Sequence, residues 1–208
     1  MRTLTRRVAA LAIVSTLTLA GCGGGDGESD DAAESDTTTS APETTDAPDD
    51  DTDIDAADGT SVKGDGYSYS VPEGWEVPTQ DIPGTEQTDS FAADLTDDDG
   101  FTDNINVIRL DPAPVKDLDD LEDALVKELE GAGSKDVTAR DRLDVDGDEA
   151  VHIASALSQQ GSTYLAEQYN PIHDGVSYVV TFSFSDTVSE ADRDALAESV
   201  LATWKWAS

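Results

Sequence analysis

The stretch that decides the fold runs through residues 136–184, DVTARDRLDVDGDEAVHIASALSQQGSTYLAEQYNPIHDGVSYVVTFSF. Four extended runs can be read in it, at 136–145, 149–159, 163–171 and 177–184, and between them stand Asp146-Gly147, Gly161 and Asp174-Gly175. An Asp-Gly pair suits the two-residue hairpin turn, whose backbone needs a positive φ at both positions. The pattern therefore predicts a four-stranded antiparallel meander.

Working upstream, Tyr67-Ser68-Tyr69-Ser70-Val71 alternates aromatic and polar residues, as a strand with one buried face does. Pro72-Glu73-Gly74-Trp75 stops it, and the turn should drop Trp75 onto the sheet. Two further strands are expected at 90–95 and 104–110, on either side of the turn cluster Asp97-Asp98-Asp99-Gly100. Residues 117–130 read as a helix with Asp117 as N-cap, a stripe of Leu118, Leu121, Leu125 and Leu129, and Gly131 as the stop. Downstream of the meander, Ser189 can cap a last helix while Asp192 reaches back to it. The apolar face of that helix is Leu196, Ala197, Val200, Leu201 and Trp204. Each helix carries one stripe and should cover part of a sheet, so the class is α+β, with an antiparallel sheet of about six to seven strands.

The aromatic-Ser-Val-Pro-Glu-Gly-Trp opening, the central helix, the Asp-Gly turn before Ala150-Val151 and the closing run into Trp204-Lys205-Trp206 together resemble the PsbP-like fold. Small actinobacterial lipoproteins of the LpqN kind carry such domains, and the resemblance covers residues 67–206. It lacks the longer Pro-rich lead-in of that group. The resemblance implies a non-enzymatic accessory or binding domain that docks to a larger assembly, with no cofactor.

The N-terminus bears on location. An apolar run at 8–19 follows Arg2, Arg6 and Arg7 and ends in Leu19-Ala20-Gly21-Cys22, which contains the chain's single cysteine. A run of about a dozen residues is too short for a bilayer span of roughly 20, but suits a signal-peptide core. The layout resembles a bacterial lipoprotein signal, which implies cleavage after Gly21 and a diacylglyceryl group on Cys22. Two acyl chains meet the condition for stable anchoring that one chain does not. Arg6-Arg7 leaves both general and twin-arginine export open.

Residues 23–61 hold 14 Asp or Glu, no Lys or Arg, no aromatic residue and one large aliphatic, Ile54. Such a segment cannot bury enough apolar surface to offset its ordering entropy. As a flexible coil it would reach roughly 35 Å. The expected organisation is a signal peptide at 1–21, an acidic tether at 22–61 beginning at lipidated Cys22, and one domain at 62–208.

Charge excludes some partners. The chain carries 12 basic and 46 acidic residues, a net of -34, and loss of Arg2, Arg6 and Arg7 with the signal takes this to -37. Nucleic-acid binding needs a basic patch that displaces counterions, and anionic headgroups are repelled for the same reason. The membrane is therefore held through the lipid on Cys22 alone. The domain has no cysteine and so no disulfide.

Candidate chemistry is sparse. The Asp144–Glu149 hexapeptide Asp-Val-Asp-Gly-Asp-Glu looks like a calcium loop, but the glutamate expected at the twelfth position is Ser155, so a hairpin turn is the better reading. Asp97, Asp98, Asp99, Asp103 and Asn104 form a second acidic turn that could hold calcium loosely. His152 falls in a strand pattern and His173 beside a turn, and two histidines without further ligands at recognisable spacing do not make a zinc site. No nucleophile elbow, Ser-x-x-Lys pair or phosphate-cradling glycine loop is present. Trp206 near the chain end would favour a partner, sugar or lipid contact if exposed. The function expected is thus a lipid-anchored, extracytoplasmic, non-enzymatic domain for a cell-envelope protein partner. A carrier of a small lipid or glycolipid is the alternative, and needs an apolar pocket of about 300 Å³ or more. A hydrolase is the third reading, and needs His152 or His173 beside a carboxylate in a cleft.

Overall fold

The computed structural model describes residues 54–207 apart from 81, 83, 160 and 161. Among them β1 (Ser61–Gly64), β2 (Tyr67–Ser70) and β9 (Lys205–Trp206) form a three-stranded sheet in the order β1-β2-β9. A six-stranded sheet contains β3 (Ser90–Ala93), β4 (Asn104–Leu110), β5 (Lys135–Val145), β6 (Asp148–Gln159), β7 (Ser162–His173) and β8 (Val176–Ser185), in the order β3-β4-β8-β7-β6-β5. All pairings are antiparallel. The two helices are α1 (Leu118–Gly131) and α2 (Glu190–Leu201). This is the α+β class that the sequence predicts, and β5 to β8 are its meander.

Both Asp-Gly turns have the expected geometry, with φ of 50° and 96° at Asp146 and Gly147 and of 49° and 80° at Asp174 and Gly175. Alternation along the meander then gives the large sheet two apolar faces. Val151 and Ile153 point to one side and pack with Leu121 and Leu129 of α1. Ala150, Tyr169, Val180, Phe182 and Phe184 point to the other and pack with Tyr67, Tyr69 and Val71 of the small-sheet segment and with Ala197, Val200 and Leu201 of α2. Trp204 closes that side. Its ring is fully buried and stacked on Tyr67 at 4.5 Å and Tyr69 at 5.3 Å, while Trp75 also sits in this core.

Five details differ from the sequence reading. Strands number nine rather than six or seven, because β1 and β9 are too short to show a period. Ser61 already belongs to β1, and the Ala57 N–H bonds the Ser199 carbonyl, so pairing reaches N-terminal to residue 62. Helix α1 continues through Gly131 and stops at Gly133, whose φ is 91° and whose N–H reaches Glu130 while Ser134 N–H reaches Leu129. That double bond is a Schellman ending, with glycine at its left-handed position. Helix α2 stops at Leu201, and the chain then extends so that Lys205 and Trp206 pair with Ser68 and Tyr67. Asp117 caps α1 by accepting the Asp119 and Asp120 N–H groups, as expected. Ser189 caps α2 through the Asp192 N–H, whereas the Asp192 carboxylate takes the Ser189 hydroxyl instead of its N–H.

Candidate functional site: a buried charge cluster beneath α2

The inward parity of β7 runs Leu165, Glu167, Tyr169, so a carboxylate lies in the middle of an apolar row. Glu167 has 0% exposure. An unpaired charge there would be costly by several kcal/mol, and three cationic or protic groups surround it. Arg193 of α2 donates Nε to Oε1 at 2.9 Å, His152 of β6 places Nε2 3.0 Å from Oε2, and Arg140 of β5 brings Nη2 to 3.7 Å from Oε1. A carboxylate only accepts, so in this pair His152 carries its proton on Nε2. Burial pushes the Glu167 carboxyl up, but His152, Arg193 and the Arg140 charge outweigh it and hold it below the ordinary glutamate value.

The cluster extends outward through Arg140. Its Nη1 donates to both oxygens of Asp194 at 3.1 and 3.2 Å, and its Nη2 lies 3.0 Å from Glu190. Arg193 also caps the Val188 carbonyl at 2.8 Å. Strands β5, β6 and β7 are thus stitched to the first turns of α2. Above the cluster opens a cleft of about 700 Å³ lined by these groups together with Asp136, Thr138, Asp141 and Glu198.

His152, Glu167 and Asp194 bring ligand atoms within 4.8 Å of one another, which is a possible metal triad. The residues do not fit one, since two guanidinium groups already occupy both carboxylates and would repel a cation at that point. His152 does stand beside a carboxylate in a cleft, which meets the geometric requirement of the hydrolase reading. However, among the described residues no serine, threonine or tyrosine hydroxyl hydrogen-bonds either of its nitrogens, and its ring is stacked on Tyr169 at 4.1 Å.

The other expected residues lie elsewhere. Cys22 falls outside the described residues. His173 bonds Asp148 at 2.7 Å through Nδ1 and stacks on Trp206 at 4.3 Å, on the far side of the β6–β7 register from the cluster. Trp206 is half-buried against Tyr178 and Trp204, so the exposure that would have made it a contact residue is not there. The hairpin reading of 144–149 holds. Asp144 accepts the Gly147 N–H at 2.9 Å, Asp146 accepts the Trp206 N–H at 2.9 Å, and Asp148 and Glu149 pair with His173 and Arg142. In the second acidic turn Asp97 and Asp99 bond the Asp99 and Phe101 N–H groups, and Asp103 bonds that of Ser185. Burial, then Asp97, Asp99 and Asp94, pushes the Asp103 carboxyl up to about 6 against that bond.

No protein-family model matches the chain, and no curated protein does. Solved structures similar to it include LpqN of Mycobacterium tuberculosis, described as involved in cell envelope biogenesis, at 12% identity over 72% of this chain and 90% of that one, with a TM-score of 0.47. Cyanobacterial PsbP from Synechocystis is similar at 18% identity over 68% of this chain and 87% of that one, TM-score 0.45. A Bacteroides thetaiotaomicron protein is similar at 13% identity and TM-score 0.45 over 68% of this chain, which spans 45% of that protein's length. Likeness at such identities concerns the fold alone.

Sequence reasoning placed His152 in the sheet but missed its partners. The signals were present. Glu167 shares strand parity with Leu165 and Tyr169, and Arg193 lies three and four residues before Leu196 and Ala197 on the apolar face of α2.

Proposed function

We propose that the chain is a lipoprotein, cut after Gly21 and anchored through Cys22 at the outer face of the cytoplasmic membrane, whose folded domain docks a protein of the cell envelope without catalysing a reaction. The observation that supports a docking module over a lipid carrier is the filled interior between the sheets. Trp204, Tyr67 and Tyr69 stack there, in the layer where an apolar ligand would need room. The cleft beneath α2 has the volume for a ligand, but its carboxylates and guanidinium groups are the wrong lining for a lipid tail. Among the described residues no helix is long and apolar enough to cross a membrane, and anchoring is assigned to the lipid.

Fractionation of cells producing the wild type and Cys22→Ala tests the anchor. The wild type should sediment with membranes and Cys22→Ala should appear in the medium; membrane retention of Cys22→Ala would sink the lipoprotein reading. Native mass spectrometry of the released chain before and after solvent extraction tests the docking reading. A bare chain is expected, and extractable extra mass would replace docking by carriage.

A further inference from the structure

A groove of about 700 Å³ is bounded by β1, by β3 and by the loop between β2 and β3. Its wall carries Val77, Pro78, Ile82 and Phe91, and Val77, 46% exposed, is the one large hydrophobic side chain open to solvent among the described residues. Lys63 and Asp89 give the groove one charge of each sign, so it does not share the acidity of the chain as a whole.

Both strands that bound it are sheet edges. The Val71 N–H bonds the Thr60 carbonyl at 3.0 Å, which fixes the alternation along β1. Thr60, Val62 and Gly64 turn their backbone groups towards β2, and Ser61, Lys63 and Asp65 turn theirs outward. The Asp65 N–H reaches the Asp89 carboxylate at 2.8 Å, so this outward row faces the start of β3. Further along it, the backbone groups of Ser61 and Lys63 have no partner among the described residues. On β3, Ala93 exchanges two bonds with Glu76 at 2.9 and 3.0 Å. The next outward residue, Phe91, then falls opposite Pro78, which has no N–H to give. The loop thus begins to pair with this edge and stops at the groove.

We propose that the groove takes an extended, uncharged segment of the envelope partner, which pairs as an added strand with Ser61 and Lys63 and sets aliphatic side chains against Val77, Ile82 and Phe91. The assignment rests on the docking reading and names the part of the partner that docks. Other occupants fit less well. Residues 23–53 of the chain itself hold no open-chain aliphatic larger than alanine and cannot fill the apolar wall. A second copy, at a net charge of -34, is repelled.

The test is made in cells with the full lipidated chain. A photocrosslinking benzoylphenylalanine replaces Gln80 in the groove or, as control, the exposed Asp123 of α1. Lys63→Pro removes one outward N–H and leaves the pairing with β2 intact, since an edge strand tolerates proline where its N–H faces solvent. Lys63→Gln keeps the N–H and removes only the charge, and Val77→Asp puts a charge on the apolar rim. Thermal unfolding of each variant, released by Cys22→Ala, checks that it is folded; if Lys63→Pro is not, Val77→Asp decides. The expected result is a protein adduct from position 80 and none from 123. Its yield should fall about tenfold or more with Lys63→Pro and Val77→Asp, and less than about twofold with Lys63→Gln. Equal yields from all variants, or a loss with Lys63→Gln as large as with Lys63→Pro, would overturn strand addition. An adduct with lipid or with a second copy would overturn the occupant. Formaldehyde crosslinking of the same cells separates the two levels. A partner caught by formaldehyde but not from position 80 sinks the groove and leaves docking, whereas no protein caught by either sinks both.

Discussion

Glu167 shows how a buried carboxylate is retained in a sheet. Replacing the charge while keeping the shape isolates its contribution, because Glu167→Gln leaves Arg193 in place beneath α2 without its counter-charge. A loss of about 3 kcal/mol is expected, from breaking one side of a buried pair, measured by urea unfolding at pH 7. The pH dependence has a definite sign. The folded carboxyl lies below its unfolded value, so its stabilisation is complete above the unfolded value and disappears as pH falls through the folded one. The difference between wild type and Glu167→Gln should accordingly narrow as the solution is acidified through the carboxylate range. If the two unfold with the same gap at all pH values, the ion pairing described here is not what holds Glu167.

At the scale of elements, the two glycines at the end of α1 separate a helical position from a stop. Gly133 has φ of 91° and closes the Schellman pattern, while Gly131 is still within the helix with open space around it. Gly133→Ala should lower stability by about 1 kcal/mol, and Gly131→Ala should leave it unchanged or raise it by a few tenths, in thermal unfolding. The sequence could not distinguish them, since either glycine satisfies a stop signal and the choice depends on which carbonyls Ser134 and Gly133 reach. The meander was legible because Asp-Gly turns and strand alternation are local signals, and so was the Asp117 cap. Strand β9 was not, as two residues carry no period and Trp204-Lys205-Trp206 fits the end of a helix as well as a strand. The charge cluster was legible only in part. His152 stands out as a rare residue, but its meeting with Glu167, Arg140 and Arg193 depends on register across three strands and on the placement of α2.

The molecule as a whole carries -34, and among the described residues six of the nine Lys and Arg are committed to carboxylates. Arg109, Arg140, Arg142, Arg193, Lys127 and Lys205 all form ion pairs. Remaining repulsion is spread over the surface and screened within about 10 Å at 0.1 M salt. Raising sodium chloride from about 0.01 to 1 M should therefore raise the midpoint of thermal unfolding, because repulsion among surplus carboxylates weakens more than the buried pairing of Glu167 does. A midpoint that fell with salt would mean that surface ion pairs outweigh the excess charge. The aromatic packing around β2 has an optical consequence. All three tryptophans lie in the layer between the sheets or at its rim, with Trp204 clasped by two tyrosines and Trp206 resting on an imidazole. Intrinsic fluorescence from this chain is thus a local gauge: it reports whether the short sheet is seated and stays blind to α1, so a flat emission signal during ligand titration does not mean that nothing has bound.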